Sequence, residues 1–292
     1  MPVILSVDVE DWAQSTLDTN LPIYPRAQGN TEHLLDLVGE EGHKLTCFVL
    51  GRFAEVFPET VRRMAREGHE VASHGFGHVN IYEQTPQEFR EDVRRSKAQL
   101  EDLIGDEVVG YRAPNFSLGP AGDWPLEILA EEGFRYDSSI FPSPTYRHGR
   151  ANWPAYPARV LLPSGLSLVE FPAATLRLFG RVLPVAGGGY HRLLPWPVIR
   201  WAVSRSMAAN QAFTLYCHPY EFDPGEFAHL PIELPWKLRL HQGLGRAGFE
   251  AKFRKLLSTF KTQTAQEMLL SGQQWPGHRL QPVISGELAT RV

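Results

Sequence analysis

Two histidines four residues apart, His74 and His78, follow the run Glu70-Val-Ala-Ser73 and enclose two glycines, Gly75 and Gly77. The glycines disfavour a helix, so the pair belongs to a turn after a strand. It is not the histidine helix of a zinc protease, which needs glutamate where this chain has Gly75. A catalytic zinc-type site takes three protein ligands and keeps one position for water, and two imidazoles with one carboxylate is a recurring set. Asp8, Glu10 and Asp11, after the apolar run Val3 to Val7, can supply the third ligand and a general base. The same acids could instead lie just beyond the strand and cap the next helix, because an unpaired buried carboxylate is costly. Arg112, before Ala113-Pro114, could hold the base ionised or be a surface charge. His218, ending another apolar run, could act as a general acid or be a satisfied structural residue.

These residues need elements that bring them together. Val3 to Val7, Leu45 to Leu50, Glu70 to Ser73, Val108 to Tyr111, Val169 to Phe171 and Ala212 to Cys217 read as strands. Between them, Thr31 to Gly42, Arg52 to Glu67, Thr85 to about Leu103 and Trp124 to Glu132 read as helices, with Gly42, Gly68 and Gly133 as stops. Thr85-Pro-Gln-Glu88 resembles a capping box. Alternating strands and helices predict a parallel sheet wrapped by helices, with ligand groups at the strand ends. Asp8 to Asp11, His74 to His78 and Arg112 all fall at such ends. Ser138 to Pro163, rich in proline and aromatics, reads as a long ordered loop. Gly187-Gly-Gly-Tyr190 reads as a hinge or close-approach loop before a helix from Pro195 to Met207. Gly248 to Gly272 reads as one or two covering helices, and Gln273 to Val292 as a tail.

The 292 residues are 43% hydrophobic and 21% charged, enough for a sizeable core. A net charge of −4 gives no basic footprint for nucleic acid. No apolar run is long enough to span a bilayer, and no basic leader precedes the first, so a cytoplasmic location is expected. Cys47 and Cys217 lie in apolar runs and read as core residues.

Taken in order, Asp8-Val-Glu10-Asp11, the His74 to His78 turn, Arg112-Ala-Pro114, Asp137-Ser-Ser139 and Leu215-Tyr-Cys-His218 resemble the motifs of the polysaccharide deacetylase family, also called the NodB homology domain or carbohydrate esterase family four. The likeness runs from residue 3 to about 225. More narrowly, Val7 to Trp12, Gly187 to Pro195 and His218 to Asp223 look like a bacterial subgroup associated with exopolysaccharide and cell-envelope glycan gene clusters. The resemblance implies a distorted barrel of about seven parallel strands with outer helices, which the strand pattern alone does not distinguish from an open doubly wound sheet. It implies a single domain over residues 1–272, with 273–292 as the tail.

By this resemblance the protein is a hydrolase that removes N-acetyl groups from amino-sugar units of a bacterial polysaccharide or its precursor. It implies a divalent metal, zinc, with cobalt, nickel and iron as alternatives, on His74, His78 and either Glu10 or Asp11. Asp8 would be the base, Arg112 its orienting partner, the Asn115 backbone N–H an oxyanion donor and His218 the acid, with Asp137 among the catalytic motif residues. Trp12, Pro114, Trp153 and Tyr190, with the loop aromatics from Phe141 to Tyr156, are candidate sugar contacts. The family usually has adjacent aspartates in the first motif; the spacing here leaves Glu10 and Asp11 open as ligand. Leu215 also lies three rather than two positions before His218. Alternatives are an amidohydrolase for small cyclic amides or formyl or acetyl amides, possible without metal, and an inactive glycan-binding module. Oligomeric state is left open.

Overall fold

The computed structural model describes residues 2–144, 148–210, 212–228, 230 and 232–280. Tyr146 and the last part of the expected tail lie outside the described residues.

The first half alternates as the hydrophobic pattern requires. Strand β1 (Val3–Val9) leads through α1 (Trp12–Thr16) and α2 (Pro25–Glu40) to β2 (Thr46–Val49). Helices α3 (Gly51–Val56) and α4 (Pro58–Arg66) precede β3 (Glu70–Ser73). The single helix expected from Arg52 to Glu67 is thus two, because Pro58 cannot continue a helix and instead opens the second. Helix α5 (Pro86–Ile104) begins with the Thr85–Glu88 capping box and ends at left-handed Gly105. Then come β4 (Gly110–Tyr111), α6 (Leu118–Ala121), α7 (Trp124–Glu131) and β5 (Tyr136–Asp137).

The second half is less regular. The expected loop contains β6 (Ala158–Leu161), an antiparallel partner of β7 (Ser167–Glu170). A hairpin of β8 (Thr175–Leu178) and β9 (Arg181–Pro184) precedes α8 (Gly188–Leu193), α9 (Trp196–Asn210) and β10 (Phe213–Cys217). Helices α10 (Trp236–Gly243) and α11 (Phe249–Thr259), strand β11 (Thr262–Gln263), α12 (Ala265–Leu270) and β12 (Gly277–Arg279) complete the described chain. The expected tail therefore contributes a strand, since β12 pairs with β6.

Strands run in the order β10-β1-β2-β3-β4-β5-β7, all parallel. Irregular chain links the two ends: Ala173 N–H bonds to Ile140 on the β5 side, Ala174 N–H to Thr214 of β10, and Tyr216 N–H to Ala186. The sheet is a distorted barrel, with a seam where a regular ladder would otherwise close it.

Side-chain alternation along β1 explains how the site is placed. Val3, Leu5, Val7 and Val9 pack in the large core that includes the helices. Ile4 joins Phe48, Ala72, Tyr136 and Val169 in a second core, closed by Ala265 and Met268 of α12. Ser6, Asp8 and Glu10 continue the Ile4 face, each two residues further along. One strand face thus passes from an apolar floor to two carboxylates at its exit.

Candidate metal centre and catalytic cleft

Glu10, His74 and His78 are buried, and one ligand atom from each lies within 4.8 Å of the others. Glu10 Oε2 is 2.9 Å from His78 Nε2 and 3.5 Å from His74 Nε2. Among the described residues, that oxygen receives no hydrogen bond from the backbone or a hydroxyl. Burial raises the Glu10 carboxyl, but His78, His74 and His218 together hold it well below the usual carboxylate range. His74 Nδ1–H donates to the Arg112 carbonyl at 2.8 Å, which turns the Nε2 lone pair toward Glu10. Two imidazole nitrogens and a bare carboxylate oxygen fit a divalent cation, so Glu10, His74 and His78 are the residues that would hold one.

The turn carrying the histidines is held from outside. Gly75 and His78 both have positive φ, and a Cβ on Gly75 would stand 2.8 Å from Asp92 Oδ2. Asp92 accepts the Phe76 N–H, while Ser96 Oγ donates to the Gly75 carbonyl.

Asp11 lies outside the Glu10, His74 and His78 group. Its Oδ1 accepts the N–H groups of Ala13 and Gln14, and its Oδ2 that of Tyr24. It is the N-cap of α1, with three backbone donors that a cation would have to displace.

Asp8 Oδ1 accepts from Arg112 Nη1 at 2.7 Å. Arg112 is wholly buried; it also donates to Ser6 Oγ, the Ser138 carbonyl and Ser138 Oγ, with Phe48 4.0 Å below its guanidinium. Asp8 Oδ2 lies 3.9 Å from His218 Nε2, which is 3.7 Å from Glu10 Oε1. Against the opposing effect of burial, Glu221, Glu10 and Asp8 push His218 up to about 8.

These groups line one cavity of about 420 Å³ together with Asn115, Phe116, Tyr216 and Tyr220. Asn115 and Phe116 both have φ of 54°, an uncommon left-handed pair that bends the chain at the cavity wall. Asp8, Glu10, His74, His78, Asn115 and His218 are therefore brought together, with Arg112 directly behind Asp8.

Several expected residues are elsewhere. Asp137 is buried against Ser139 and Glu170 and does not line the cavity. Trp12 is buried against Phe227 with ring centroids 4.7 Å apart, and Pro114 is buried below the strained turn. Trp153 packs on His278 and lines a separate cavity, and Tyr190 lies on α8 outside the cleft. Packing takes Trp12 and Pro114 from the cleft, and topology takes Trp153 and Tyr190.

The sequence reading missed Phe116, Tyr216, Tyr220 and Glu221. Tyr220 stacks on His218 at 4.7 Å and 12°. Glu221 Oε2 accepts the His218 N–H at 3.1 Å and is 3.5 Å from its Nδ1; Oε1 is 3.1 Å from Arg192 Nε. A Cβ on Gly188 would stand 1.9 Å from Glu221 Oε2, so the glycines do allow a close approach, made by the first turn of α8 rather than by a loop. Flanking of His218 by Tyr216, Tyr220 and Glu221 was the available signal.

A parallel barrel with its polar cleft at the strand ends is the arrangement in which such folds gather their ligand groups. Residues 13–135 match the family model for polysaccharide deacetylase, and residues 138–270 match a domain of unknown function (DUF3473). The segment 13–135 is thus a polysaccharide deacetylase domain, of the NodB type. It is 33% identical over 93 residues to the peptidoglycan-N-acetylglucosamine deacetylase of Bacillus cereus, covering 32% of each chain. To the chitooligosaccharide deacetylase of Sinorhizobium fredii it is 39% identical over 103 residues, 34% of this chain and 44% of the relative. The chain spans about a third of the length of the first curated relatives it matches. A solved Mycobacterium smegmatis structure described as a polysaccharide deacetylase has a TM-score of 0.63 at 22% identity, covering 96% of this chain and 93% of that one. The Puue allantoinase has 0.60 at 16% identity, covering 92% and 88%. At these identities the two structures establish the shared fold.

Proposed function

We propose that this protein is a divalent-metal-dependent hydrolase that removes N-acetyl groups from amino-sugar units of a bacterial polysaccharide or its precursor, with exopolysaccharide as the substrate class. The observation that carries this reading is the Glu10–His74–His78 set in one cleft with the Asp8–Arg112 pair and His218. The names of the peptidoglycan and chitooligosaccharide deacetylases among its relatives support an N-acetylated glycan as substrate.

A cation at Glu10, His74 and His78, zinc first and cobalt, nickel or iron as alternatives, supplies Lewis acidity that acidifies water and polarises a carbonyl. Asp8 Oδ2 takes a proton from the water whose oxygen adds to the acetyl carbon, while Arg112 fixes Oδ1. The Asn115 N–H donates to the acetyl oxygen as negative charge develops. His218 gives its Nε2 proton to the sugar nitrogen as the C–N bond breaks, leaving acetic acid and a free amine. The proton that Asp8 took from water then passes to His218 Nε2, 3.9 Å away and in reach through one water, while the acetic acid formed ionises to acetate.

Acetate release from N-acetylglucosamine oligomers and lipid-linked glycans, with and without chelator, tests the proposal. Activity untouched by chelation and by His74→Ala would sink the metal mechanism. Turnover of a small cyclic amide without acetylated sugars would move the substrate class, and glycan binding without turnover would make the chain a binding module.

A further inference from the structure

We infer that the face formed by the β8–β9 hairpin and helices α8, α9 and α10 docks on an anionic phospholipid membrane. The inference is independent of the proposed reaction.

Charge is segregated along the chain. Residues 171–220 contain no acid and five arginines, and residues 234–249 contain no acid, one lysine and two arginines. These stretches carry +5 and +3 in a chain of net −4, which leaves −12 on the remainder. Arg192 and Arg246 are turned inward toward Glu221 and Glu226. Arg177, Arg181, Arg200, Arg205, Lys237 and Arg239 are exposed, and among the described residues none of the six pairs with a carboxylate. Arginines of the acid-rich helices, such as Arg63, Arg90 and Arg94, are paired.

The same segments expose large apolar side chains. Phe179 is 95% exposed, Trp236 68%, Leu193 56% and Trp201 46%. Phe179 and Gly180 are the two-residue hairpin loop, both at positive φ, a turn that favours asparagine or aspartate before glycine. A phenylalanine there is strained and gains no burial in the fold, which is what a side chain reserved for a second phase would show. Arg200 adjoins Trp201, and Lys237 Nζ lies 5.8 Å from the Trp236 ring. Cations beside indoles match the boundary between headgroups and acyl chains.

The elements are contiguous. Ser206 of α9 bonds to the Thr175 carbonyl of β8, and Arg192 of α8 donates to the Gln242 carbonyl of α10. Gln242 also lines the catalytic cavity, so α10 reaches the cleft. A two-fold copy packed through this same face would oppose cations to cations, whereas lipid phosphates neutralise them. Among the described residues no helix is long and apolar enough to cross a membrane, so the docking is peripheral.

The test is flotation of the full chain with phosphatidylcholine vesicles, pure or containing about a third phosphatidylglycerol. Partition should be about tenfold or more stronger on the anionic vesicles and should weaken with salt. Phe179→Ser should cost about tenfold without moving the melting temperature, and Arg200→Glu with Arg205→Glu should cost at least as much. No flotation on anionic vesicles at low salt, or flotation unaffected by both variants, would overturn the inference. So would a concentration-dependent dimer dissolved by Trp201→Ser, which would assign the face to a second copy.

Discussion

Successive side chains at the end of β1 leave on opposite sides, so Glu10 continues the inner face of Asp8 while Asp11 turns to the start of α1. Their substitutions should separate cleanly. Glu10→Gln should strip the protein of its equivalent of bound zinc, read by metal analysis, with little loss of apo-protein stability. Asp11→Ala should retain the metal and lower stability by about 1–2 kcal/mol through the lost cap, read by denaturant melts. The reverse pattern would return Asp11 to the ligand set. Glu221→Gln should leave metal content intact and lower kcat about tenfold or more, because His218 loses the carboxylate that orients it. Unchanged kcat would reduce Glu221 to a partner of Arg192.

At the scale of elements, β2 and β3 are joined at their starts by a neutral histidine. His69 Nδ1 accepts the Leu45 N–H, and burial, with Lys44 close by, lowers His69 to about 4. The unfolded chain protonates near 6.5 and the native one near 4, so this contribution is present above pH 6.5 and is lost progressively as pH falls toward 4. The stability advantage of the native chain over His69→Gln should therefore shrink between pH 7 and pH 4.5. An advantage independent of pH would show that the imidazole is not held neutral. Burial also raises Glu226, to about 7, and its protonation favours the fold as pH falls, which is why the difference from the variant is the proper readout.

At the scale of the whole molecule, the segment after α12 is part of the sheet. Trp275 meets Phe171 edge-on at 5.7 Å, and β12 extends the β6 edge. Truncation after Gly272 should lower the melting temperature by several degrees, as expected for lost aromatic burial and strand pairing. An unchanged melt would make the segment a passive tail. The six cations without a carboxylate partner among the described residues belong to this scale too, since they come from one hairpin and two helices that are separate in sequence.

Strongly patterned elements were legible in the sequence: β1, β3, α5 with its capping box, α7 and β10 lie close to where periodicity put them. β4 is the two-residue end of the run read from Val108, β5 has only two residues and no period, and β6 and β12, with β12 at the edge, are defined by their partners. The ordered motifs also gave the residues of the cleft, because Asp8, His74, Arg112 and His218 each end a readable strand. Residue type and local spacing could determine no more than that. Whether Glu10 or Asp11 faces the histidines depended on strand direction and on three backbone donors waiting for Asp11. Which aromatics reach the cleft depended on packing: Trp12 and Pro114 are buried outside it, while Tyr216 and Tyr220 flank His218. Those choices rest on contacts between distant segments, which only the folded chain contains.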